Sequence, residues 1–101
     1  MTKMVEDNIN HVRDLCKKHQ VRNLYLIGSS VSDSLSKSSD IDFVVIFSDS
    51  LPLLDYADNY FDLKFSLEKL FKREVDLIEE KAIQNPFFLS EVNNTKVPIY
   101  G

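Results

Sequence analysis

Apolar residues recur along this chain at two spacings. Over residues 3 to 19, Val5, Ile9, Val12, Leu15 and Cys16 follow mainly at steps of three and four, the period of one buried helix face. The same period returns over residues 59 to 72 with Tyr60, Leu63, Leu67, Leu70 and Phe71. Lys17, Lys18 and His19 close the first helix, and Lys69, Lys72 and Arg73 the second, with positive charge that suits a helix C-terminus. Elsewhere the apolar residues bunch into short runs. Residues 23–27, 40–47 and 74–78 are predicted strands, the second being the strongest.

Punctuation between these runs is equally local. Gly28 ends the first run, and Ser29 or Ser30 is placed to cap a short helix. Residues 32–39 are polar and loop-like, and residues 48–58 form a second loop marked by Ser-Asp-Ser and Pro52. Asn85 followed by Pro86 predicts a helix entry, with Asn as cap and Pro at the first helical position. Asn93-Asn94 ends that helix, and residues 97–100 supply a last edge strand in which Pro98 is tolerable. Helices and strands therefore alternate from end to end. The predicted class is α+β with α/β-like alternation, a small mixed sheet with helices on one side.

Length and charge narrow the picture. The 101 residues suffice for one domain, 1–101, with a small core from a 44% hydrophobic content. The net charge is −4 and no basic stripe is present, which argues against long nucleic acids as substrates. Residues 1 to 20 lack the apolar core of a secretion signal, and no run reaches membrane-spanning length. The single cysteine, Cys16, fits a reducing cytoplasm and a packed position on the first helix. His11 and His19, with no ligand cluster around them, are expected at the surface.

The chemistry lies between residues 26 and 47. Side chains alternate along a strand, so Asp40 and Asp42 share a face that continues into Val44 and Ile46. Two carboxylates about 6–7 Å apart repel unless a cation lies between them. Mg²⁺ is the natural candidate, since one or two carboxylates plus substrate phosphates commonly hold it. In the run 74–78, Asp76 faces away from Val75 and Leu77; it joins Asp40 and Asp42 if the two strands are neighbours. Three carboxylates with one or two Mg²⁺ ions could align an attacking hydroxyl with a nucleotide α-phosphate.

Gly28-Ser29, ten further residues, Asp40-Ile-Asp42 and an Asp on a later strand together resemble the minimal nucleotidyltransferases of the DNA polymerase β superfamily. The likeness extends to the closing Asn85-Pro86-Phe-Phe and Val97-Pro-Ile-Tyr100-Gly stretches. It implies the nucleotidyltransferase fold and Mg²⁺-dependent transfer of a nucleoside monophosphate from ATP or another NTP to a hydroxyl. By position, Gly28, Ser29 and Ser30 are the implied phosphate-loop residues. Asp40 and Asp42 are implied metal ligands, and Asp76 is a third ligand or the base for the hydroxyl. Many such proteins are antitoxins paired with a helical HEPN-domain toxin, and some adenylylate it. Where the family often continues Gly-Ser-x-Ala-Arg-Gly, this chain has Val31, Ser32 and Asp33, leaving Lys37 as the loop's cation.

Size favours an acceptor on a protein partner, because no second lobe is present to enclose a small one. Self-association stays open. A second reading keeps the fold without catalysis, as a binding module that neutralises its partner by contact. The acidic, apolar loop around Leu51, Leu53, Leu54 and Tyr56 either packs beneath the following helix or contacts a partner near the mouth of the site, with Tyr56 as anchor.

Overall fold

A computed structural model describes residues 1–32 and 40–101. Four strands form one sheet in the order β3-β2-β1-β4. Strand β1 (Val21–Ile27) is central and runs antiparallel to both β2 (Ile41–Phe47) and β4 (Val97–Tyr100). Strand β3 (Val75–Glu79) lies parallel to β2, joined to it by the long crossover helix α3 (Tyr56–Phe71). Pro98 falls on an edge strand, where a missing N–H costs least.

The first helical pattern divides. Helix α1 (Lys3–Asp7) and helix α2 (Ile9–Lys18) meet at Asn8, whose side-chain amide folds back to donate to Met4 O at 2.8 Å. Asparagine competes in this way with the helical ladder. Val5, Val12 and Cys16 are nonetheless buried together, as their spacing predicted. Burial pushes the Cys16 thiol up to about 12, the behaviour of a packing residue and not a nucleophile.

His19 departs from its surface expectation. It is 3% exposed, and its Nδ1 donates to Leu15 O at 2.7 Å. Asn59 of α3 donates to the His19 carbonyl at 2.7 Å, so this residue fastens α2 to α3. The ring is short enough to tuck under the end of its own helix, a contact the linear pattern does not display.

Alternation in the strands creates two unequal cores. Leu24, Leu26, Phe43, Val45, Val75 and Leu77 point to the face covered by α1, α2 and α3. Ile27 and Val44 point the other way and pack against Val92 of α4 (Pro86–Thr95), with Tyr25 and Ile78 around them. Three helices thus share one side, and α4 takes the second face. Asn85 accepts from the N–H groups of Phe87 and Phe88, the cap that Asn-Pro forecast. The helix runs through Asn93-Asn94 to Thr95, one residue beyond the predicted stop. Among the described residues, no helix is long and apolar enough to cross a membrane.

Tyr56 takes the packing role of the two expected for its loop. It opens α3, half-buried, with its ring edge-on to Phe47 at 5.5 Å and its hydroxyl buried without a hydrogen-bond partner. It is a packing residue and not an exposed anchor. The loop before it follows the end of β2, and Ser48 N donates to Gln20 O at 2.8 Å. Asp42 lies near the other end of β2, about 17 Å from Phe47 at the usual strand rise. The loop is therefore far from the carboxylates, not at their mouth.

Candidate active site

Three neighbouring strands bring the site together in one row. Ile27 pairs with Asp42, and Asp42 pairs with Asp76 across the parallel β2–β3 ladder. Both carboxylates project from the face that carries Val44, so their apolar strand neighbours hold them from the opposite side. Ile41 N donates to Glu74 O at 3.2 Å, fixing the register just before the pair.

Gly28 follows Ile27 with φ +71°, a left-handed conformation. A Cβ there would lie 2.6 Å from Asp42 Oδ2. Glycine suits the position twice, by its left-handed turn and by the room it leaves beside the carboxylate. Gly28–Val31 form a single 3₁₀ turn without a side-chain cap, so the serines do not cap it as their position suggested. Ser30 is fully buried, its hydroxyl has no hydrogen-bond partner, and its carbonyl accepts from Thr2 N at 3.0 Å. Ser29 is exposed on the turn.

A cavity of about 230 Å³ opens between this row and α4. Gly28, Asp42 and Asp76 line one side; Phe88, Glu91 and Thr95 line the other. This face of the sheet is therefore walled by α4. Phe88 and Glu91 line the cavity, and neither stood out in the sequence. The capped Asn85-Pro86 entry was the available signal, since it sets which way the helix faces.

Burial raises the Asp42 carboxyl above its ordinary 3.8, and the charges of Asp76 and then Asp40 push it further. Asp40 is exposed just ahead of β2. Among the described residues, no Lys, Arg or His forms an ion pair with Asp40, Asp42 or Asp76. No three His, Cys, Asp or Glu side chains among them form a ready-made metal cage. The donor set is two facing carboxylates with a third nearby, which suits an oxygen-seeking ion completing its shell from phosphates and water. Lys37 and Asp33 lie outside the described residues.

Glu68 is a supporting residue hidden in the sequence. Its i,i+4 spacing from Lys64 and to Lys72 would by itself put it on the wet side of α3. Its Oε2 does lie 4.0 Å from Lys64 Nζ, but it also accepts from Val75 N at 3.1 Å, holding the start of β3 one residue before Asp76. Lys72 instead leaves the helix in a left-handed turn, φ 55°, its N–H bonded to Glu68 O. Tyr60 Oη donates to Leu77 O on the same strand. Burial, then the charge of Asp76, raises the Tyr60 phenol.

The family model described as "Polymerase beta, Nucleotidyltransferase" matches residues 10–101. The chain belongs to this family. A Methanocaldococcus jannaschii protein named as a candidate protein adenylyltransferase, MJ1379, is 34% identical over 79 residues, covering 76% of this chain and 75% of its own. The solved structure of a candidate minimal nucleotidyltransferase superposes with a TM-score of 0.77 at 27% identity, over 97% of this chain and 96% of that one. The fold also matches, at a TM-score of 0.65 and 20% identity, a structure described as a tri-AMPylated Shewanella oneidensis HEPN toxin in complex with MNT antitoxin. That match covers 95% of this chain and 71% of the other. As a polymerase-β-type nucleotidyltransferase, the chain carries its paired aspartates on adjacent parallel strands beside a left-handed glycine.

Proposed function

We propose that this nucleotidyltransferase moves AMP from ATP to a hydroxyl on a helical, HEPN-type protein partner, as the antitoxin of such a pair. The register of Asp42 against Asp76 carries the reading. Two facing carboxylates in one row, beside a backbone that lacks a Cβ, form a place where a cation and a phosphate can both approach.

Asp42 and Asp76, with Asp40 at the rim, would hold one or two Mg²⁺ ions. When bound, Mg²⁺ supplies charge neutralisation at the phosphates and in-line alignment of the reacting oxygens. Gly28 and the exposed Ser29 let the triphosphate lie against the loop, and the buried Ser30 hydroxyl supplies a donor beneath it. Lys37, outside the described residues, is the proposed counter-charge. The acceptor oxygen bonds to the α-phosphorus, the bond to the β-phosphate oxygen breaks, and pyrophosphate leaves. The acceptor proton passes to Asp76, which sits on the edge strand where an incoming hydroxyl can reach it. The names of the adenylyltransferase relative and of the AMPylated toxin complex support AMP as the group and a protein as the acceptor.

Incubation with α-labelled ATP, Mg²⁺ and the partner should place label on the partner. Val31, Ser32 and Asp33, standing where the family often has Ala-Arg-Gly, favour a second reading, a non-catalytic module that neutralises by contact. A tight complex with no label transferred would select it.

A further inference from the structure

Helix α3, on the side of the sheet opposite the carboxylates, carries a second surface. Phe61 and Phe65, one turn apart, are 49% and 58% exposed, and their rings stack at 5.9 Å. Asp58 and Asp62 form a parallel row beside them, again one turn apart. Together with Leu51 and Asp55 they line a groove of about 540 Å³. Leu51 also borders a neighbouring cavity that includes Leu53, itself 87% exposed. Exposed apolar side chains thus occur on both sides of Leu51.

The charged side chains that line the groove have one sign, Asp55, Asp58 and Asp62, with Lys64 and Lys81 at its borders. Among the described residues, Asp55 and Asp58 pair with no cation, and Asp62 meets only the His19 ring, at 3.8 Å. Lys64 reaches over the Phe65 ring at 5.9 Å but is matched by Glu68. An apolar ridge flanked by an acidic row has a natural complement: a helix with apolar residues at i and i+4 beside Lys or Arg at the same spacing.

We infer that the Phe61–Phe65 ridge with its acidic row docks a basic amphipathic helix of a protein partner. The groove includes Gln20 and Leu51, which lie at the end of the sheet away from Asp42. The partner held here leaves the nucleotide site open, so docking and nucleotide binding are independent. The identity of the partner as the HEPN-type protein rests on the function proposed above; the chemistry of the surface does not.

Two probes separate these points. One is the HEPN-type partner; the other is a short helical peptide with two leucines at i and i+4 beside two lysines at the same spacing. Calorimetry should give binding of both to the wild-type chain. Phe61→Ser with Phe65→Ser should weaken each more than tenfold, with circular dichroism and Mg²⁺-ATP affinity unchanged. Asp58→Asn should weaken binding less and reduce its salt dependence. Peptide binding lost in the Phe variant, without any HEPN complex, would support the surface and sink the partner assignment. Complexes indifferent to the Phe changes, no binding of either probe, or a wild-type chain that self-associates through these two residues would overturn the inference.

Discussion

Asp42 and Asp76 stand opposite each other on neighbouring parallel strands, partners in the β2–β3 register. Adjacent strands lie about 4.8 Å apart, so two carboxylates on one face of this ladder are forced into each other's field. The fold holds this repulsion in place with buried neighbours on both strands, Ile41 and Phe43 on one, Val75 and Leu77 on the other.

That repulsion has a pH signature. The Asp42 carboxyl is held above its ordinary 3.8 by burial and by Asp76 and Asp40, so the unfolded chain releases this proton at lower pH than the folded one. The contribution to stability is therefore greatest below the unfolded value and declines as pH rises through the raised one. Thermal unfolding in EDTA across about pH 4 to 7 should show this decline, and Asp42→Asn should flatten it. Added Mg²⁺ should oppose it, increasingly so at the higher pH values. An identical pH slope in the wild-type chain and the variant would remove Asp42 as its source.

Gly28 cannot be replaced quietly. Alanine would face the left-handed φ of +71° and a 2.6 Å approach to Asp42 Oδ2. Gly28→Ala should cost about 1–3 kcal/mol of stability. In the fraction that remains folded, nucleotide affinity should fall at least tenfold. Calorimetry on a sample shown to be folded measures this; full affinity would show that the glycine serves the turn alone.

Glu68 is predicted to act on the site through β3. Glu68→Ala leaves the Val75 N–H without its acceptor and should cost about 1–2 kcal/mol. Glu68→Gln keeps an oxygen for that N–H and should recover most of the loss, although it removes the charge facing Lys64. Equal destabilisation by both substitutions would trace the effect to the ion pair instead.

Periodicity made the main elements legible because their burial is one-sided. Leu63, Leu67 and Phe71 read as a helix face and are one; Phe43 and Val45 read as a strand and are one. The strand alternation also placed Asp76 opposite Val75 and Leu77, leaving only the pairing of β3 with β2 to be seen. What the pattern missed are contacts made by single side chains. The Asn8 amide breaks the first helix, His19 turns inward, Tyr56 packs on Phe47, and Glu68 reaches across to β3. Their partners lie only four to nine residues away, but they are set by the reach of one side chain at an element's end, which has no period. Phe61 and Phe65 show the converse: aromatics on a helix, outside its buried stripe, left facing water.

The central claim is that Asp42 and Asp76 act as one unit on the nucleotide. Transfer from α-labelled ATP should be measured with Mg²⁺ and the partner for Asp42→Asn, Asp76→Asn and the double variant, all shown to be folded. Each single change should lower transfer at least 10²-fold, and the double should be little worse than either, as for residues that work as a unit. Wild-type transfer by either single variant would contradict the account.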